Sequence, residues 1–181
     1  YPTAQFEIIL INDASSDASV SIVDQFKTKH PTLNVALINN NELSGSPKKD
    51  AIHKAIGLAS YDWIITTDAD CVVPETWLRA FDSMITQQSP KMIVAPVSYL
   101  PKSGFLHKFQ LLDFLSLQGI TMGSFGMKDK KFGHPFLCNG ANLCYTKESF
   151  KAVDGFTGNQ HIPSGDDVFL LEKMLKKFPE D

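Results

Sequence analysis

Arginine is almost missing from this chain: of its 17 basic residues only Arg79 carries a guanidinium. One guanidinium cannot form a bidentate phosphate-reading cluster. A net charge of −3 over 181 residues gives no basic field, which excludes nucleic acid as a partner. Lysines can still hold a diphosphate as point charges, helped by a metal ion. Cysteine is scarce too. Cys71, Cys138 and Cys144 show no CxxC spacing, and an odd number fits a reducing compartment better than a disulfide framework. They read as small buried hydrophobes. No signal peptide opens the sequence. The most membrane-like stretch, Phe105 to Phe125, is broken by His107, Lys108, Gln110, Asp113 and Gln118, so it does not span a bilayer.

What is present is an ordinary globular composition, 43% apolar and 20% charged, in a length suited to one domain with a sizeable core. Strand and helix patterns alternate. Phe6 to Asn12 is a short apolar run expected to be a strand buried on both faces. Val20, Ile22, Val23 and Phe26 mark a helix, and Leu33 to Asn39 a second strand. Pro47 suits a first helical position, with Ala51, Ile52, Ala55, Ile56 and Ala59 on one face. Trp63 to Thr67 is a third strand, and Pro74 opens a helix bearing Trp77, Leu78, Phe81 and Ile85. Met92 to Val97 is a fourth strand, followed by a long helix from Gly104 to about Met122. A short strand at Asn142 to Tyr145, a helix at Lys147 to Val153 and a last one at Asp166 to Phe178 complete the pattern. Such alternation predicts an α/β fold with a mostly parallel sheet and helices on both faces. Ligands of such sheets lie beyond the carboxyl ends of the strands.

Four elements fall where chemistry is expected. Asp68 and Asp70, two apart on an extended segment, point to one side and repel unless a cation sits between them. Mg²⁺ or Mn²⁺, sharing substrate phosphates, is the natural occupant and would act as a Lewis acid on a departing diphosphate. A DxD pair alone equally well caps the next helix. Asp13, in Asn12-Asp13-Ala14-Ser15-Ser16-Asp17, sits at a strand end where it can accept from a base N–H or a ribose hydroxyl, while Ser16 or Asp17 serves as N-cap. Gly45-Ser46-Pro47-Lys48-Lys49 is either a phosphate-holding helix start or a solvated lysine pair. Ser164-Gly165-Asp166-Asp167 supplies one aspartate, Asp166, as a helix cap and a second as general base. No histidine pair has ligand spacing, and Trp63 and Trp77 read as core. Phe125, Phe132 and Phe136 are possible acceptor contacts.

Taken in order, these elements resemble the family 2 glycosyltransferases, inverting enzymes with the GT-A (Rossmann-like) fold. The matching residues are Ile9 to Asp17, Lys48-Lys49 with Ala51-Ile52, Ile65 to Asp70, Asn139 to Asn142, Asp154-Gly155-Phe156 and Gly165-Asp166-Asp167. The resemblance implies transfer of a sugar from a nucleotide donor, commonly UDP, to a hydroxyl acceptor. It implies Asp13 at the base, Lys48 near the donor, Asp68 at the ribose and Asp70 on the metal. Asn139 would border the donor sugar, and Asp167 would be the catalytic base, with Asp166 standing where the family usually has Glu. It further implies a glycan or lipid-linked acceptor and assembly at the cytoplasmic side of a membrane, with any membrane helices outside a soluble 1–181 domain.

The resemblance also carries departures. Family members begin with a strand–helix unit before the first strand seen here, and continue to a downstream QxxRW-type motif. The chain is therefore expected to be a fragment of one GT-A domain. A rival enzyme class is the haloacid-dehalogenase-type phosphatase, whose DxDx(T/V) pattern Asp68-Ala69-Asp70-Cys71-Val72 resembles. There the pair ends the domain's first strand, whereas two strand–helix units precede it here. A non-catalytic nucleotide-sugar-binding module is the remaining alternative.

Overall fold

The computed structural model describes residues 1–41, 44–126, 135 and 137–179. Strand β1 (Ile8–Asn12) leads through α1 (Ser19–Lys29) to β2 (Val35–Asn39). The two strands pair in parallel, Ile8 opposite Val35 through to Asn12 opposite Asn39. Helix α2 (Pro47–Leu58), strand β3 (Trp63–Thr66), helix α3 (Trp77–Gln88) and strand β4 (Met92–Val94) follow. After α4 (Phe105–Gly126), a 3₁₀ turn at Gly140–Asn142 runs into β5 (Leu143–Thr146), then α5 (Lys147–Ala152) and α6 (Asp166–Lys177).

The fold is α/β with parallel strands and covering helices, as expected. One strand direction was not foreseen. Strand β5 lies between β3 and β4 and runs antiparallel to both, with Thr66 opposite Leu143 on one side and Val94 opposite Leu143 on the other. Strands β3 and β4 therefore run the same way, each paired to the antiparallel β5, while β1 and β2 form a separate parallel pair.

The core is built on the alternation of β5. Leu143 and Tyr145 face one side and Cys144 the other, all nearly inaccessible. On the first side Ile56 of α2, Phe150 of α5 and Leu170 and Met174 of α6 close over them. On the second side Phe81 of α3 and Ile93 pack with Cys144, flanked by Trp63, Trp77 and Ile85. Both tryptophans are thus core-facing, as expected. Strand β1 departs from expectation. All five of its residues are only half-buried, because β2 covers one edge and helix α1 buries none of its side chains. Ile22 and Phe26, part of the apolar pattern that marked this helix, stand in solvent at 61% and 41% exposure.

Candidate functional site

Helix α2 starts where Pro47 occupies its first turn, a position at which a missing N–H costs nothing. That start is tied to the end of β1. The Asn40 side-chain amide donates to Asp13 Oδ1 at 2.9 Å and to the Pro47 carbonyl at 3.0 Å. Asp13 is otherwise exposed at the strand end. One residue further on, Lys48 extends toward β3 and donates to Asp68 Oδ1 at 3.2 Å. The same ammonium lies 3.7 Å from Asp166 Oδ2. Asp13, Lys48, Asp68 and Asp166 thus form a continuous polar rim at the carboxyl ends of β1 and β3, where an α/β sheet binds ligands.

The rim closes on Gly140, which lies within the Asn139 to Asn142 motif but was given no role of its own. Gly140 N donates to Asp167 Oδ2 at 2.9 Å, and its carbonyl accepts from Thr66 Oγ1 at 2.6 Å. A Cβ there would lie 3.1 Å from Asp166 Oδ2 and 3.4 Å from Lys48 Nζ, so any larger residue would push the acid and the lysine aside by a few tenths of an ångström. Asn139 builds the same turn. Its side-chain oxygen accepts from Ala141 N at 2.9 Å. The detectable signal was Asn139-Gly140 itself, a turn dipeptide just before an apolar strand.

Electrostatics follow from crowding. Burial pushes the Asp166 carboxyl above the usual range; Lys48 opposes this, and Asp167 and Asp68 add to it. Burial works against the Lys48 ammonium, but Asp166, Asp68 and Asp167 outweigh it and raise its pKa. Cys138 is held as a thiol, first by burial and then by the two acids.

Two cap assignments are corrected. Asp166 is not the cap of α6: Gly165, at φ +75°, holds that position, and Asp166 is a buried acid inside the first turn. Ser16 and Asp17 are not the N-cap of α1 either. Ala18 is, although Asp17 Oδ1 still accepts from Ser19 N at 2.9 Å. Asp70 is exposed in the turn after β3, with the Cys71 thiol 3.9 Å away. Among the described residues no group of three or more His, Cys, Asp or Glu side chains is arranged to hold a metal unaided. A hard divalent ion that uses one or two carboxylates and completes its shell with substrate phosphates needs no such group, and an exposed Asp70 fits that mode. Phe125 lines a cavity of about 190 Å³ with Val94, Pro96, Gln118 and Thr121, apart from the acid cluster. Phe132 and Phe136 lie outside the described residues.

A parallel βαβ unit with an acidic loop at its carboxyl end, beside a three-stranded antiparallel sheet followed by the Asp68-Ala69-Asp70 turn, is the α/β arrangement of the GT-A fold. The chain belongs to glycosyl transferase family 2, whose family model matches residues 2–153. It is similar to the poly-beta-1,6-N-acetyl-D-glucosamine synthase of Staphylococcus epidermidis, 31% identical over 119 residues, covering 62% of this chain and 26% of that protein. The synthase of the same name from Staphylococcus aureus strain COL is 30% identical over the same length. The chain therefore spans about a quarter of the curated relatives it matches. Among solved structures, it resembles the mannosyltransferase PcManGT from Pyrobaculum calidifontis in complex with GDP-Man and Mn²⁺. That match has a TM-score of 0.69 at 19% identity, over 96% of this chain and 44% of that one. S. aureus TarS in complex with UDP matches with a TM-score of 0.60 at 15% identity, over 97% and 47%. The family match sets the phosphatase reading aside. No helix among the described residues is long and apolar enough to cross a membrane.

Proposed function

We propose that the full-length protein transfers a sugar from UDP to a hydroxyl of a growing glycan or lipid-linked acceptor, with inversion at the anomeric carbon. The observation that carries this reading is the convergence of Lys48, Asp68, Asp166 and Asp167 around the Gly140 peptide at the strand ends. Asp13 takes the base, Asp68 the ribose, and Lys48 the diphosphate, while Asn139 shapes the turn beside the donor sugar. Asp70 holds Mg²⁺ or Mn²⁺, which when bound supplies positive charge to the leaving diphosphate. Asp167 accepts the proton of the acceptor hydroxyl as its oxygen bonds to the anomeric carbon. The bond from that carbon to the phosphate oxygen breaks, and UDP leaves with the electron pair. The synthase relatives, by their names, support a polysaccharide product. Assembly at the cytoplasmic face of a membrane belongs to the same reading.

The test is thermal shift of the full-length protein with UDP and Mn²⁺, with GDP as comparison. At a UDP concentration near 100 times Kd, binding adds about 2.7 kcal/mol of stability. Asp70→Ala is expected to abolish the metal-dependent part and leave the unliganded Tm unchanged, since Asp70 is exposed. A GDP shift larger than the UDP shift would reassign the donor. Metal-dependent binding without nucleotide release from any sugar donor would instead favour a binding module.

A further inference from the structure

Two adjacent lysines at the start of α2 have opposite surroundings. Lys48 reaches the acid cluster with 47% of its side chain exposed. Lys49 is 1% exposed, and nothing in the reaction above uses it. Its ammonium donates to three backbone carbonyls: Asn159 at 2.8 Å, Ile162 at 2.9 Å and Ser164 at 3.3 Å. Three N–H donors meet three acceptors, the full capacity of an ammonium group. The Phe169 ring lies 5.0 Å away, within cation–π range. A lysine this deeply buried is rare, and this one is retained only because every donor is used.

The three carbonyls belong to the segment between Asn159 and Gly165, which contains neither helix nor strand. The Asn159 oxygen also accepts from Ile162 N at 3.1 Å; the Ile162 and Ser164 oxygens have no ladder to join, and the Lys49 side chain satisfies them. The rest of the α2 start grips the same segment. Buried Ser46 donates its hydroxyl to Pro163 O at 3.3 Å, and Gly45 faces His161 O. The segment ends at Gly165, and the acid pair follows at once as the first residues of α6. The last carbonyl held by Lys49 is thus two residues from Asp166 and three from Asp167.

We propose that Lys49 is a positioning residue for the acid pair: by pinning the Asn159, Ile162 and Ser164 carbonyls it fixes the entry of α6 and hence the Asp167 carboxylate against Gly140. Lys49 touches no substrate and is not catalytic. The inference rests on the reading of Asp167 as the base.

The experiment uses the full-length protein and Lys49→Met, which keeps an unbranched stem and removes the ammonium donors. Amide exchange over residues 159–168 and at Gly140 is expected to quicken at least ~10-fold. Nucleotide release is measured with UDP-N-acetylglucosamine, UDP-glucose and GDP-mannose. With the donor that turns over, kcat is expected to fall about 100-fold while donor KM stays within about threefold, because Asp13 and Asp68 sit on other loops and Lys48 keeps its own contact with Asp68. In an Asp167→Asn background the same change is expected to remove less than about threefold more, the non-additivity of residues acting as one unit. Lys173→Met is the control, since Lys173 ties Gly155 O and Thr157 O in the preceding turn at 2.7 Å each. It should lower Tm without altering that coupling.

An equal loss in both backgrounds, or unchanged exchange over residues 159–168, overturns the proposal. If Lys49→Met does not fold, Lys49→Arg keeps the charge but not the three-point geometry. It is then expected to show the same kcat split at smaller size, and wild-type exchange and kcat in that variant overturn the proposal. Full turnover in Asp167→Asn, or no release from any donor by the wild type, sinks the functional reading instead. The exchange measurement then decides the role of Lys49 by itself.

Discussion

Single residues divide sharply by what their neighbours require. Lys48 and Lys49 are indistinguishable in sequence, yet one serves the rim and the other the floor beneath α6. No pattern of spacing separates them, because the acceptors of Lys49 lie more than a hundred residues away. The placement of Asp13, Asp68 and Asp167 at the ligand end of the sheet was legible because each stands at a strand end or helix entry, where local chemistry points outward. Asp166 was misread as a cap for want of Gly165, whose left-handed conformation takes that position. Its burial has a consequence for stability. Burial raises the native carboxyl above its unfolded value, so the native state binds the proton more tightly. Stability therefore falls as pH rises from the ordinary carboxylate range through the raised native value, and the loss persists above it. Asp166→Asn removes that step. It should raise the denaturation midpoint at neutral pH and leave it unchanged under acidic conditions, where the wild-type carboxyl is already neutral. A variant less stable than wild type at neutral pH would mean that the Lys48 contact outweighs burial.

At the scale of elements, every strand and helix expected from the sequence forms, with ends shifted by a few residues. Apolar periodicity reports existence and type well, but not direction. Strand β5 could not be seen to run antiparallel, since crossover rules bind only successive neighbouring strands and β5 inserts between two earlier ones. Helix α4 is the other surprise. It is apolar enough to look buried, yet Phe105, Leu106, Phe109 and Leu112 are all more than half exposed, and Thr121 is its one buried residue among those described. The best-packed junction is the one from α5 into the turn that follows. Phe150 stacks on Tyr145 at 5.8 Å and meets Phe156 edge-on at 5.3 Å. Gly155, at φ +45°, passes so close that an added Cβ would lie 2.6 Å from the Phe150 ring. The ring is fixed by the core and cannot give way. Gly155→Ala is expected to cost at least about 2 kcal/mol, from overpacking and left-handed strain together. Gly158→Ala, at φ +93° with no atom within 4 Å of the added carbon, isolates the strain. Urea melts of the two variants separate the terms, and equal losses would show that the clash relaxes.

For the whole molecule, the decisive feature is that its strands form two sheets rather than one. Strand β1 pairs with β2, and β3 pairs with β5, each along one edge only among the described residues. What joins β1 to β3 is end contacts. The Glu7 carboxylate accepts from Ser60 N and Tyr61 N, and Tyr61 Oη donates to Ala4 O at 2.8 Å. Beyond the other ends lie the Asp13–Asn40 and Lys48–Asp68 contacts. The residues of β1 and β3 are all half-buried, as strands paired along one edge are expected to be. One extended segment between them would satisfy both edges and cover Ile9, Ile11, Ile64 and Ile65. It would also brace the Asp13 and Asp68 loops against each other, linking fold stability to nucleotide affinity. A polypeptide extended ahead of Tyr1 so as to supply such a segment is therefore expected to show slower amide exchange in β1 and β3, a higher Tm and tighter UDP–Mn²⁺ binding than residues 1–181. Gains in Tm with no added protection in those two strands would place the new contacts elsewhere, and unchanged exchange and affinity would refute the shared-strand argument.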